Sequence, residues 1–126
     1  MFQVVYEYPA VWPEEGPLRV EAQFTSEIKV SPLLARRRAS GFLAGYVTLM
    51  VLAGEPVLVL GEARPVWRVP AILHLPGLGE IAPVGTIEVD ALTGEVIQPS
   101  SEQISLMQRR ANDFATRLSF APTPAN

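Results

Sequence analysis

The side chains that could do chemistry are few and poorly matched. His74 is the only histidine. A general base needs an orienting partner and a substrate pocket, and nothing in the spacing around His74 supplies either. It reads as a solvent-facing strand histidine, with Arg68 on the same face. Glu80, Glu88, Asp90 and Glu95 are the densest carboxylates. Glu88 and Asp90 alternate onto one side of an extended segment, and oxygen ligands so placed suit a hard cation. The spacing of a calcium loop is missing, so Asp90 reads as a turn cap and Glu88 as an exposed acid. Gly77-x-Gly79 lacks the third glycine of a dinucleotide fingerprint and lies between strands, so it reads as a turn. There is no Walker loop, no Gly-x-Ser-x-Gly elbow and no metalloprotease helix. With no cysteine there is no thiolate ligand, no cysteine nucleophile and no disulfide framework. We assign no catalytic, cofactor-binding or metal-ligating residue. The side chains best suited to a functional surface are Arg36, Arg37, Arg38 and Trp12. The arginines stand near the start of a predicted helix, where cations oppose its dipole. Trp12 sits among Pro9, Pro13 and Pro17, either folded back on the core or offered to a partner.

Composition narrows the class. A chain of 126 residues suits one domain with a real core; we place it at 1–120, with a flexible tail at 121–126. The hydrophobic fraction of 48% is high for this length, which implies either deep burial or apolar surface kept for a partner. A net charge of −3 speaks against a general nucleic-acid binder, which needs a concentrated positive face. Charge is blocky all the same. Glu7, Glu14, Glu15, Glu21 and Glu27 outweigh Arg19 at the start, and Lys29 with Arg36, Arg37 and Arg38 then stand without an acid up to Ala53. Met1-Phe2-Gln3 lacks the basic region of a signal peptide. The uncharged run Gly41 to Gly54 falls short of a bilayer core of ~30 Å at ~1.5 Å per helical residue. The expectation is a cytoplasmic protein with no membrane span.

The elements follow from periodicity. Residues 2–8 and 18–25 alternate and suggest an antiparallel pair with one wet face. Ser31-Pro32 is a helix start, and the helix is predicted over Pro32 to Ala53, with Gly54 as its stop. Ala39, Phe42, Leu43, Tyr46, Leu49, Met50 and Ala53 form its buried stripe. Its opposite side, Ser40, Gly41, Ala44, Gly45 and Thr48, is small. Interior glycine costs ~1 kcal/mol relative to alanine, so this side is expected to meet the C-terminal helix or a second copy. Val57 to Leu60 reads as a central strand. In the next strand Trp67, Val69, Ala71, Leu73 and Leu75 share a face, and Pro70 puts it at an edge or a bulge. Thr86 to Asp90 reads as a strand, with a hairpin through Gly94 into Glu95-Val96-Ile97. Ser100 and Gln103 form a capping box. It opens a helix with Ile104, Met107, Ala111, Phe114 and Leu118 along one seam.

Trp67-Arg68-Val69, and the run from Gly85 through Val89-Asp90-Ala91-Leu92-Thr93-Gly94-Glu95-Val96, resemble the PepSY family of small α+β domains over residues 32–97. The N-terminal strand pair and the C-terminal helix lie outside the match. The resemblance implies a cystatin-like layout, a helix laid across a twisted antiparallel sheet, in modules that commonly bind or restrain a partner, proteases included. It supplies no catalytic residue. The expected function is a non-catalytic interaction or regulatory module. Its partner is another protein, or a second copy meeting the small-residue face of the 32–53 helix or the C-terminal helix. No nucleic acid is expected. Two other classes stay open. One is a small-ligand-binding or enzymatic α+β domain, which would show a pocket at His74, Arg68 or a tyrosine with buried carboxylates. The other is an immunity or antitoxin-type partner.

Overall fold

Along the chain run β1 (Gln3–Tyr6), α1 (Pro32–Tyr46), β2 (Val51–Ala53), β3 (Val57–Leu60), β4 (Val66–Leu75), β5 (Gly79–Asp90), β6 (Val96–Ile97) and α2 (Ser101–Ser119). The computed structural model describes residues 3–7, 27–61 and 63–119. The expected strand at 18–25, its loop with Trp12 and the tail at 121–126 lie outside them.

The described strands form one mixed sheet of six in the order β1-β3-β4-β5-β6, with β2 beside β4. Its spine is the long β4–β5 hairpin, turned where Gly77 and Gly79 adopt φ of 77° and 72°. The expected alternation along β4 holds: Trp67, Val69, Ala71 and Leu73 are buried, and the residues between them are half-exposed. β5 begins earlier than expected, at Gly79, because its first half pairs back along the whole of β4. Both helices lie on the inner face. Ala35, Ala39 and Leu43 of α1 and Met107 and Ala111 of α2 join Val84, Ile87 and Val89 of β5 in one core. Small residues allow this approach: a Cβ added to Gly85 would lie 2.6 Å from Cγ of Met107.

Two expectations are corrected. First, the helix from Pro32 stops at Tyr46 and not at Ala53. The Val47 and Thr48 amides both donate to the Leu43 carbonyl, at 2.9 and 3.0 Å, and close it. Val51–Ala53 then forms a strand against Leu73, Ile72 and Ala71. Residues 47–53 fit a helical period, but the β-branched Val47, Thr48 and Val51 disfavour it. β4 moreover has backbone groups beyond Val69 that need a partner. Leu49 is therefore 79% exposed on the turn rather than part of a core stripe. Second, β1 runs parallel to β3, so the sheet is not wholly antiparallel. Parallel neighbours need a crossover, commonly a helix, and α1 lies in the connection. Of the two places expected for Pro70, an edge or a bulge, the structure shows the bulge. β2 and β3 are one interrupted strand whose break at 54–56 lies opposite Pro70. The ring, which has no N–H to offer, faces that gap, and the Pro70 carbonyl accepts from the Gly54 amide at 2.8 Å.

The caps appear as expected. Ser31 Oγ accepts from the Leu34 amide at 3.1 Å. Ser100 and Gln103 cap each other, at 2.9 and 3.2 Å. Trp67 is 1% exposed, and its Nε1–H donates to the Val30 carbonyl at 2.8 Å. The Lys29 and Val30 amides donate to the Ala91 carbonyl, and the Ala91 amide to the Pro65 carbonyl, each at 3.0 Å.

Two substitutions test this packing. A Cβ at Gly54 would lie 2.5 Å from Ile72 Cδ1 and 2.9 Å from Pro70 Cγ, and the proline ring cannot swing away. Gly54→Ala should cost about 1–3 kcal/mol in urea unfolding; an unmoved midpoint would refute the packing. Trp67→Phe strips the buried Val30 carbonyl of its donor and should cost about 1–3 kcal/mol. Amide exchange at Lys29 and Val30 should quicken before exchange in the β4–β5 hairpin does. Uniform quickening would show that the indole does not hold this segment.

Candidate functional site

α1 lies across the sheet on the side of Ala35, Ala39 and Leu43, and at 3.6 residues per turn this leaves it two flanks. One flank is used up by β2. Arg36 Nε donates to the Ala53 carbonyl at 3.1 Å, and a guanidinium nitrogen lies 3.9 Å from Glu55. Ser40 Oγ accepts from the Ala53 amide at 3.3 Å. Arg36 is thus a tether between helix and sheet. It separates from Arg37 and Arg38, which are exposed and have no ion pair among the described residues.

The other flank faces the hairpin that joins β5 to β6. Between them runs an open groove of ≈ 570 Å³. Arg37, Arg38, Phe42 and Tyr46 line its helix side, and Glu95 and Val96 the hairpin side. The rings of Phe42 and Tyr46 stack at 4.7 Å, and Tyr46 is 58% exposed. At the middle of the flank, a Cβ added to Gly41 would meet nothing within 4 Å, and Gly45 is equally open. No described residue covers Gly41 or Gly45 on this small-residue side. α2 reaches only the helix end, where Gln108 Nε2 donates to the Tyr46 and Val47 carbonyls at 3.3 and 3.4 Å.

The hairpin wall is stiff. Asp90 Oδ1 accepts from the Leu92 and Thr93 amides at 2.8 and 3.1 Å, and Oδ2 pairs with Arg64 at 3.0 Å. Gly94, at φ 79°, lies against Val30 and Leu34, which seats the turn on the first part of α1. Asp90 therefore acts as the expected turn cap. α1 carries no acid in its first turn, so its positive dipole end and the two exposed guanidiniums reinforce one another.

The remaining sequence candidates lie elsewhere. Arg68 pairs with Glu7 at 2.8 Å. His74 stands opposite Glu80 and gives its amide to the Met50 carbonyl. Both belong to the sheet face turned away from the helices. Asp90 is the buried ionisable residue among those described, and its partners are the turn and Arg64. No described residues gather as a metal-ligand cluster. No described helix is long and apolar enough to cross a membrane. Trp12 lies outside the described residues. The sequence reading puts Phe42 and Tyr46 in the buried stripe and Glu95 among the hairpin carboxylates, and marks neither these nor Val96 as partner-binding. Helical spacing does put Phe42 next to Arg38 and Gly45, and this was the available signal. Comparison with family models, curated proteins and solved structures found no match.

Since no described residue packs on Gly41, Gly41→Ala should raise stability by up to ~1 kcal/mol, read as a higher unfolding midpoint. A loss of stability would mean that the flank is covered.

Proposed function

We propose that the protein is a non-catalytic interaction module that binds or restrains a partner protein along the exposed flank of α1. One observation carries this reading: two arginines without ion pairs among the described residues stand beside the stacked rings of half-buried Phe42 and exposed Tyr46, on a helix that lacks acids. Interfaces favour arginine and aromatic residues in this combination. The resemblance of Trp67-Arg68-Val69 and the 85–96 segment to PepSY domains points the same way. The reading places the partner in the cytoplasm, as a chain without cysteine allows.

A second copy of the chain competes for the same flank, because Gly41 and Gly45 leave room for a close helix. Particle mass separates the two arrangements.

The test is purification of the intact chain from its source cell, with mass measurement, beside Arg37→Glu/Arg38→Glu. The expected result is a hetero-complex that the double reversal dissociates while the circular dichroism spectrum is unchanged. A companion retained by the variant, or a single-copy particle with no companion, would sink the proposal.

A further inference from the structure

We infer that the groove takes an extended, acidic segment of the partner, added as a strand along the outer edge of β6. This rests on the interaction reading above and makes it specific.

The backbone argument comes first. Among the described strands, β6 is the last on its side of the sheet. Val89 is paired with Val96 and Glu88 with Ile97, and the Asp90 amide donates to the Glu95 carbonyl at 2.9 Å. Antiparallel ladders alternate bonded and non-bonded pairs. The N–H and C=O of Val96 therefore point away from β5, to the outer edge. Val96 is also a wall of the groove. An unpaired donor and acceptor on a strand edge is the template on which an incoming strand adds.

The side-chain argument is independent. An added strand turns alternate residues toward α1, where Phe42 offers an apolar surface and Gly41 leaves space. Arg37 and Arg38 supply two guanidiniums to the single carboxylate of Glu95. The wall is thus positive, and a carboxylate brought there gains charge-assisted hydrogen bonds and the helix dipole. A nucleic acid fits less well, because two arginines make no phosphate track and the chain as a whole is at −3.

The experiment pans a displayed library of random peptides on the intact protein. Selected peptides are then titrated against three forms: the natural sequence, Arg37→Ala/Arg38→Ala, and Gly41→Leu. The Cβ of Gly41→Leu meets no described atom within 4 Å, and the rest of the side chain enters the groove. A single-stranded oligonucleotide serves as a second probe. The expected peptides are rich in acids, slow exchange of the Val96 amide, and weaken as salt rises. Their affinity should fall roughly tenfold or more in each variant. Four results would overturn the inference: no enrichment, peptides without acidic bias, peptides unaffected by both variants, or tighter binding of the oligonucleotide. The broader reading would survive any of these if Arg37→Glu/Arg38→Glu still sheds the natural companion. If that companion is also indifferent, both readings fall.

Discussion

A buried indole N–H must find an acceptor, and the way Trp67 finds one organises this chain. Its acceptor is the carbonyl of Val30, the residue before the Ser31 cap, so the start of α1 is placed by a strand far away in sequence. The Ala91 carbonyl holds the Lys29 and Val30 amides from the other side, and the Ala91 amide returns to Pro65. Four segments meet here: the approach to α1, the entry to β4, the end of β5 and the turn after it. Each hydrogen bond satisfies a backbone group that the buried ring would otherwise strand without water. Because the knot joins α1 to the 90–94 turn, it also fixes the spacing of the groove's two walls.

The sheet accommodates the helix by breaking a strand. Residues 51–60 run antiparallel to β4 throughout, but Gly54-Glu55-Pro56 face only Val69 and Pro70. The extra residue is a bulge in effect, and such irregularities bend a strand. It sits where β4 has no N–H to pair and where Gly54 alone fits between Pro70 and Ile72. Arg36 then reaches across to Ala53 and Glu55, so the break also anchors one flank of α1. This use of the first arginine leaves the next two without a structural task.

Much of the fold was legible in the sequence, and what was not has a physical cause. Both caps, the alternation of β4 and the 90–97 hairpin depend on neighbours within a few residues, and each was read from local spacing. The end of α1 was not legible, because residues 47–53 satisfy two periods at once. The choice between them is made by β4, some twenty residues on, whose unpaired edge favours a strand. The parallel pairing of β1 is likewise a long-range decision, invisible to a rule that pairs successive strands. The site was half legible. Arg37 and Arg38 stood out as cations at the wrong end of a helix dipole, and they do line the groove. Phe42 and Tyr46 fitted a core stripe, and only the early end of the helix leaves Tyr46 in the open.

The glycines separate what the fold requires from what it does not. Gly54 and Gly85 are demanded from within: a Cβ at either would run into Pro70 and Ile72, or into Met107. Gly94 is demanded by its positive φ. Gly41 and Gly45 answer to neither reason, for they lie in a helix with nothing within 4 Å. Each forgoes ~1 kcal/mol that alanine would supply. A helix that needed only to stay folded would gain by filling these positions. Their smallness has a physical use only if another backbone or side chain comes close, and no described residue of this chain does. The same flank carries Arg37 and Arg38, which pair with no described acid, and the exposed Tyr46. Exposed charge, exposed aromatic surface and costly glycine thus fall on one side of one helix, and the proposed partner segment would account for all three together.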